Sequence, residues 1–202
     1  MKKTIINKSY RAVFTALLVS TTTLLTLPSC SNIAGQGIVR QKVSEFDGSK
    51  SITMSPAVVM ATSTSTQAGT LLGARWSNKT PNTAYLILEH NSQVLSRNAY
   101  SNINSLAINV DGKIHRYKCT TLTDHSSGGY NSVTKTIYTN SRNVVAVPLS
   151  VVKRMVAANT CMLQVHTSTG VHEQNFAKEK NIGVSMAKVH MRKFLAQVEA
   201  AK

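Results

Sequence analysis

The sequence predicts a mainly β protein of the α+β class: an antiparallel sheet or β-sandwich with one short helix and a C-terminal amphipathic helix. Three observations carry that expectation. Ser and Thr are abundant while only 4 of 202 residues are Pro, which favours strands over long helices. From Ser51 onward, short β-branched and aromatic runs alternate with clusters of turn formers. Only two segments, near residues 149–158 and from Ser185 to the C-terminus, space their apolar residues as helices do.

Taken in order, residues 52–61 are apolar and β-rich, and Pro56 within them predicts an edge strand, since proline has no N–H to give a ladder. Residues 70–76 and 83–90 are predicted strands joined by the turn-forming run 77–82. Tyr85, Leu86, Ile87 and Leu88 in succession mark a strand covered on both faces. Asp111-Gly112 is the strongest hairpin signal in the chain. A two-residue turn there pairs Val110 with Lys113. Strand parity then puts Leu106, Ile108 and Val110 on one face with His115, Tyr117 and Cys119, the predicted core face.

Residues 133–139 and 144–147 read as two strands across a polar turn at 140–143. Leu149, Val152, Met155 and Val156 follow helical spacing, and Asn159 is the expected stop. Residues 161–167 alternate, with Cys161, Leu163 and Val165 on one side, and a turn at 167–170 leads to a weaker strand at 171–176. Ser185 is the expected N-cap of the last helix, whose apolar stripe is Ala187, Met191, Phe194, Leu195 and Val198.

The N-terminus is set apart from all of this. Lys2, Lys3, Lys8 and Arg11 give a positive start, residues 12–27 an apolar core of sixteen residues, and Pro28 ends any helix. Sixteen residues interrupted by Ser and Thr are short for a bilayer span, so a signal peptide is expected rather than a membrane anchor. The stretch Leu27-Pro28-Ser29-Cys30 resembles the lipobox of bacterial lipoproteins. That resemblance implies that Cys30 receives a diacylglyceryl group, that the chain is cut just before it, and that the new amine is acylated, with palmitate as the expected acyl group. Several acyl chains hold a protein stably where one does not, each buried methylene contributing about 0.8 kcal/mol. Ser31, in place of Asp, is similar to cargo passed on to the outer membrane. The expected location is therefore the cell outer membrane, facing the periplasm. The alternative is an ordinary secretory signal cut after Asn32-Ile33-Ala34. The chain thus divides into a signal peptide (1–29), the lipidated Cys with a flexible tether (30–50), and a single β-rich domain (51–202).

Lys and Arg number 23 against 8 for Asp and Glu, a formal charge of +15; without the first 29 residues, 19 basic and 8 acidic residues leave +11. Such a field raises encounter rates with anionic envelope polymers, lipopolysaccharide or lipid headgroups. Nucleic acid is not an expected partner, because aromatic residues make up only 5% and no DNA- or RNA-reading motif is visible. The C-terminal helix is basic and amphipathic; core packing and membrane-surface contact both use that pattern, and core packing is the commoner use.

With Cys30 lipidated, Cys119 and Cys161 remain as an even pair in an oxidising compartment, and a disulfide between them is expected. The six His (90, 115, 125, 166, 172 and 190) have no i, i+4 spacing, and no CxxC or HExxH accompanies them, so no metal and no cofactor is expected. Asp124-His125-Ser126 contains the residue types of a catalytic triad, but adjacent residues on one backbone cannot form the relay. No catalytic residue is assigned. The expected function is a non-enzymatic envelope lipoprotein whose basic domain binds an anionic envelope component or a partner protein. Two alternatives stay open: an envelope hydrolase with its site near 124–130, and an accessory or protective protein that docks another secreted or membrane protein.

Overall fold

Alternation of inward and outward side chains sorts the chain into two antiparallel sheets that share one core. The structure is a computed structural model and describes residues 35–61, 70–97, 99–177 and 185–202; the signal peptide, Cys30 and residues 31–34 of the expected tether lie outside the described residues. The strands are β1 (Val39–Val43), β2 (Lys50–Val58), β3 (Met60–Ala61), β4 (Thr70–Ser77), β5 (Thr83–Gln93), β6 (Ile103–Val110), β7 (Lys113–Lys118), β8 (Asp124–Asn131), β9 (Thr136–Pro148), β10 (Cys161–Thr167) and β11 (Gly170–Ala177). Helix α1 (Leu149–Ala157) follows β9, and α2 (Met186–Ala201) ends the chain. One sheet has the order β1-β2-β4-β5-β9-β8 and the other β3-β11-β10-β6-β7. The mainly β, α+β expectation holds, and the architecture combines both variants: sheet packs on sheet, and helices cover what remains.

The inner face of the six-stranded sheet carries Ile52 and Met54 of β2, Leu72, Ala74 and Trp76 of β4, Leu86 and Leu88 of β5, and Val145 and Val147 of β9, all fully buried. Opposite them lie Leu106 and Ile108 of β6, Cys161, Leu163 and Val165 of β10, and Phe176 of β11. The Asp111-Gly112 turn pairs Val110 with Lys113, Ile108 with His115 and Leu106 with Tyr117, as parity requires. Both turn residues have positive φ (47° and 89°), the geometry that matches strand twist in a two-residue hairpin. Asp111 Oδ1 also accepts from the Thr160 N–H at 3.0 Å, fastening the turn to the start of β10.

Helix α2 covers β2 and β4 where the five-stranded sheet does not reach, and touches β1, β11 and α1. Ala187, Met191, Phe194 and Val198 enter the core, so its apolar stripe is core packing. Ser185 caps it by accepting from the Lys188 N–H at 3.3 Å. The Lys188 ammonium donates to the Ala158 carbonyl (3.0 Å) and Lys153 pairs with Glu199 (2.7 Å), which ties the two helices together.

Four local expectations are corrected. Pro56 does not mark an edge: β2 lies between β1 and β4, and the proline sits where the register shifts between Met54 and Ala57. A bulge is the other place a sheet tolerates proline. Gly73 faces it from β4, where a Cβ would lie 2.8 Å from the Met54 carbonyl oxygen and 3.1 Å from the Pro56 ring. The flexible tether is not flexible throughout, since β1 pairs with β2 along five residue pairs from Val39↔Met54 to Val43↔Lys50. Gly37 opens this strand with φ +68°, and a Cβ there would fall 2.2 Å from the His190 ring of α2. Residues 140–143 are not a turn but the middle of a thirteen-residue strand, β9. Finally, the presumed loop at 124–130 is β8, the exposed edge strand beside β9.

Candidate functional site

Cys119 and Cys161 are free thiols, and the expected disulfide is not formed. Cys161 pairs with Val110 at one end of β6, whereas the Cys119 N–H donates to the Asn104 carbonyl at the other. Six residues of strand separate those positions, about 20 Å, against an upper limit of about 7 Å between bridged Cα atoms. Their shared inward parity was legible; their position along the strand was not. Burial pushes the thiols up, Cys119 to about 11 and Cys161 to about 12, so neither is a thiolate at neutral pH.

Asp124, His125 and Ser126 alternate across β8 as strand residues must. Asp124 lies opposite Arg142 on the outer face, and His125 opposite Ser141 on the inner one. The His125 ring is hydrogen-bonded through Nδ1 to the Ser141 hydroxyl (3.1 Å) and through Nε2 to Asn102 Oδ1 (3.1 Å). These are the contacts of a hydroxyl, an imidazole and an amide in line, but the hydroxyl is only 1% exposed. The arrangement fastens the edge strand to β9 and to the segment before β6 without presenting a nucleophile.

Beside it the interior is polar. Thr70, His90 and Ser141 form one cross-strand row on the inner face, and Ser92 and Thr139 the next. The His90 ring meets His172 of β11 across the sheets with centroids 4.6 Å apart. Among the described residues, neither nitrogen of His90 nor Nε2 of His172 has a hydrogen-bond partner. Burial first, and the His172 ring second, lower the His90 pKa from 6.5 to about 4; burial lowers that of His172 too. Among the described residues, no three or more His, Cys, Asp or Glu are grouped to hold a metal ion.

An open groove lies on the outer face of the six-stranded sheet. Its volume is about 600 Å³, and it is lined by Thr53, Arg75, Ser77, Lys79, Thr80, Tyr85, Ile87, Arg142 and Val144. Cross-strand register builds it. Arg40, Thr53, Arg75 and Tyr85 stand in one row over β1, β2, β4 and β5, with Lys42, Ser51 and Ser77 in the next. Cations on the far side and in the turn are partly neutralised. Arg142 Nε lies 3.6 Å from Glu89, and Lys79 is paired with Asp47, whose carboxyl it holds well below the usual carboxylate range. Arg75, Arg40 and Lys42 are exposed and have no ion pair among the described residues. In that row Arg75 stands between Tyr85 of β5 and Thr53 of β2. A guanidinium with an aromatic and hydroxyl-bearing cross-strand neighbours suits a phosphate or carboxylate carried on an amphipathic ligand.

Sequence reasoning counted these cations without finding the cluster. The outward parity of Arg75 is set by its buried neighbours Ala74 and Trp76 and is legible in the sequence; the pairing that puts Arg40 in the same row is not, because residues 39–43 carry no alternation of their own and become a strand only against β2. Among the described residues, no helix is long and apolar enough to cross a membrane. In comparison with known proteins, no family model, no curated protein and no solved structure matches the chain.

Proposed function

We propose that the protein is a non-enzymatic cell-envelope lipoprotein, held by acyl chains on Cys30, whose basic domain binds an anionic envelope component. The ligand class is a phosphate- or carboxylate-bearing glycan or lipid, lipopolysaccharide among them, and its seat is the outer groove of the six-stranded sheet. The observation that carries this is Arg75: an exposed cation, without an ion pair among the described residues, in a preformed groove and flanked by Arg40 and Lys42. The net charge of +11 left after cleavage before Cys30 supplies the long-range attraction and the groove supplies the docking geometry.

Binding of lipopolysaccharide is the direct test. Arg75→Glu is expected to weaken it by about tenfold or more, some 1.4 kcal/mol, and the remaining affinity to fall as salt rises through a Debye length of about 10 Å. Lys113→Glu changes the net charge by the same amount but lies at the far hairpin of the other sheet. Equal losses in the two variants would show diffuse attraction and remove the groove from the proposal. The anchor is tested separately: Cys30→Ala is expected to move the protein from the membrane fraction to the soluble one, and unchanged fractionation would end that part.

A further inference from the structure

Beyond the last apolar row of the inner face, strands β5, β8 and β9 stay paired as far as Gln93↔Tyr138 and Asn131↔Thr136, forming an arm of the six-stranded sheet. At its tip, the β8–β9 turn (residues 132–135) and the segment after β5 come together, since the Val94 N–H donates to the Ile137 carbonyl at 2.9 Å and Tyr130 pairs with Ile137. Exposed apolar side chains gather there, whereas Phe46 and Leu122, as fully exposed, stand on other segments. Leu95 is 92% exposed, Val133 88% and Tyr130 65%, with Val94 and Tyr138 also uncovered beside them. The shape is built rather than slack. Asn131 Oδ1 accepts from the backbone N–H groups of Val133 (2.9 Å) and Thr134 (3.0 Å), and Lys135 takes a positive φ of 51° to close the turn. Contiguous exposed apolar side chains on a soluble protein mark a site of contact with a partner or a membrane.

From these features we infer that the arm tip is a membrane-contact element that enters the interfacial region of an anionic lipid bilayer. Leu95 and Val133 are the inserting groups. Tyr130 and Tyr138 flank them as rings with an apolar body and a polar end, the residue type that settles at the headgroup boundary. Arg97 and Lys135 supply the cations that meet anionic headgroups. Charge complementarity chooses this partner: no Asp or Glu occurs from His90 to Val110 or from His125 to His172, so nothing on the tip's own segments repels an anionic surface. An apolar tip borne on a turn, with Arg97 and Lys135 on its own segments, fits a deformable lipid surface, which takes apolar side chains and cations together. The inference goes beyond the groove, since Arg75 lies toward the middle of the same sheet and contributes nothing to the tip.

Trp76, the only tryptophan, is fully buried, which leaves the surface free for a reporter. The full chain is reconstituted into vesicles containing phosphatidylglycerol, some with brominated acyl chains, and the emission of Val133→Trp is compared with that of the unsubstituted chain and of Val171→Trp. Val171 is 51% exposed on the hairpin of the other sheet and serves as the control. The expected result is a blue-shifted Val133→Trp emission, quenched by brominated lipid roughly twofold more than the control, and weaker quenching in zwitterionic vesicles. Quenching no greater than that of Val171→Trp overturns the inference and leaves the tip as a protein-docking surface. Adding Arg75→Glu should leave the Val133→Trp signal in place. Loss of the signal there would make the tip a passenger of the groove and would also overturn it.

Discussion

The inner face of the six-stranded sheet changes character along the same three strands. Toward the β9–α1 junction it is apolar throughout: Trp76, Ala84 and Val147 in one row, and Ala74, Leu86 and Val145 in the next. Toward the arm the same strands put Asn143, Ser141 and Thr139, His90 and Ser92, and Thr70 on that face, equally buried. The apolar end is closed by α1, α2 and the five-stranded sheet. The polar end is closed by chain that needs hydrogen bonds to be held. Asn143 shows how: its amide donates to the Ile103 carbonyl (2.9 Å) and the Thr121 carbonyl (3.1 Å), and accepts from the Thr121 hydroxyl (2.8 Å). Gln174, with its amide oriented to satisfy both partners, accepts from the Thr70 N–H at 2.7 Å. One end therefore draws its stability from excluded water and close packing, the other from a set of directional bonds whose loss leaves buried polar groups unpaired.

The largest effect is expected at the apolar end. Trp76 is fully buried and its indole N–H donates to the Pro81 carbonyl at 3.0 Å. Trp76→Ala should cost about 3–5 kcal/mol in chemical denaturation, because the neighbouring helices and strands can only partly collapse onto the space. A cost below about 1 kcal/mol would mean that this end is not the packed one.

A smaller effect, at the polar end, depends on pH. His90 titrates near 6.5 when unfolded and at about 4 in the folded protein. Between those values the unfolded chain binds more protons, so stability is fully present above about pH 6.5 and is lost as pH falls toward 4, by on the order of 3 kcal/mol at most. His172 is shifted in the same direction and steepens the loss. Denaturant titrations across that window should show the decline, and His90→Phe should flatten much of it. A slope that survives His90→Phe unchanged would place the acid sensitivity elsewhere.

The contrast between the ends also explains what could be read from the sequence. At the apolar end the alternation was plain: the strands expected at 70–76 and 83–90 are found at Thr70–Ser77 and Thr83–Gln93, and the Val110–Lys113 register, both helices and the Ser185 cap are found as expected. At the polar end local pattern misleads. The run Asn140 to Asn143 has the composition of a turn, yet it is the centre of a strand whose polar side chains find partners in segments distant in sequence. The Ser- and Gly-rich stretch 124–131 has little strand propensity of its own; β9 pairs with it and makes it a strand. Long-range partners decide such segments, and a single sequence does not display them. The candidate groove suffers similarly: cations on β1, β4 and β9 become neighbours only through pairing.

The smallest expected effect is none at all, and it concerns the two thiols. A bridge from Cys119 to Cys161 would close a loop of about 42 residues and stabilise by roughly 4 kcal/mol on the chain-entropy model, a contribution that reductant would remove. The register instead holds the two cysteines at opposite ends of β6, with Cys161 packed into the apolar end and Cys119 at the approach to the polar one. The denaturation midpoint should therefore be the same with and without reductant, within about 0.5 kcal/mol. Both thiols should alkylate fully once the protein is unfolded without reductant. Before unfolding they should react slowly, and Cys161 more slowly than Cys119, because it is the more deeply buried of the two and its pKa the higher. A reductant-sensitive midpoint, or mass spectrometry showing the pair linked, would require the strand order β10-β6-β7 to be wrong, and with it the boundary between the two ends.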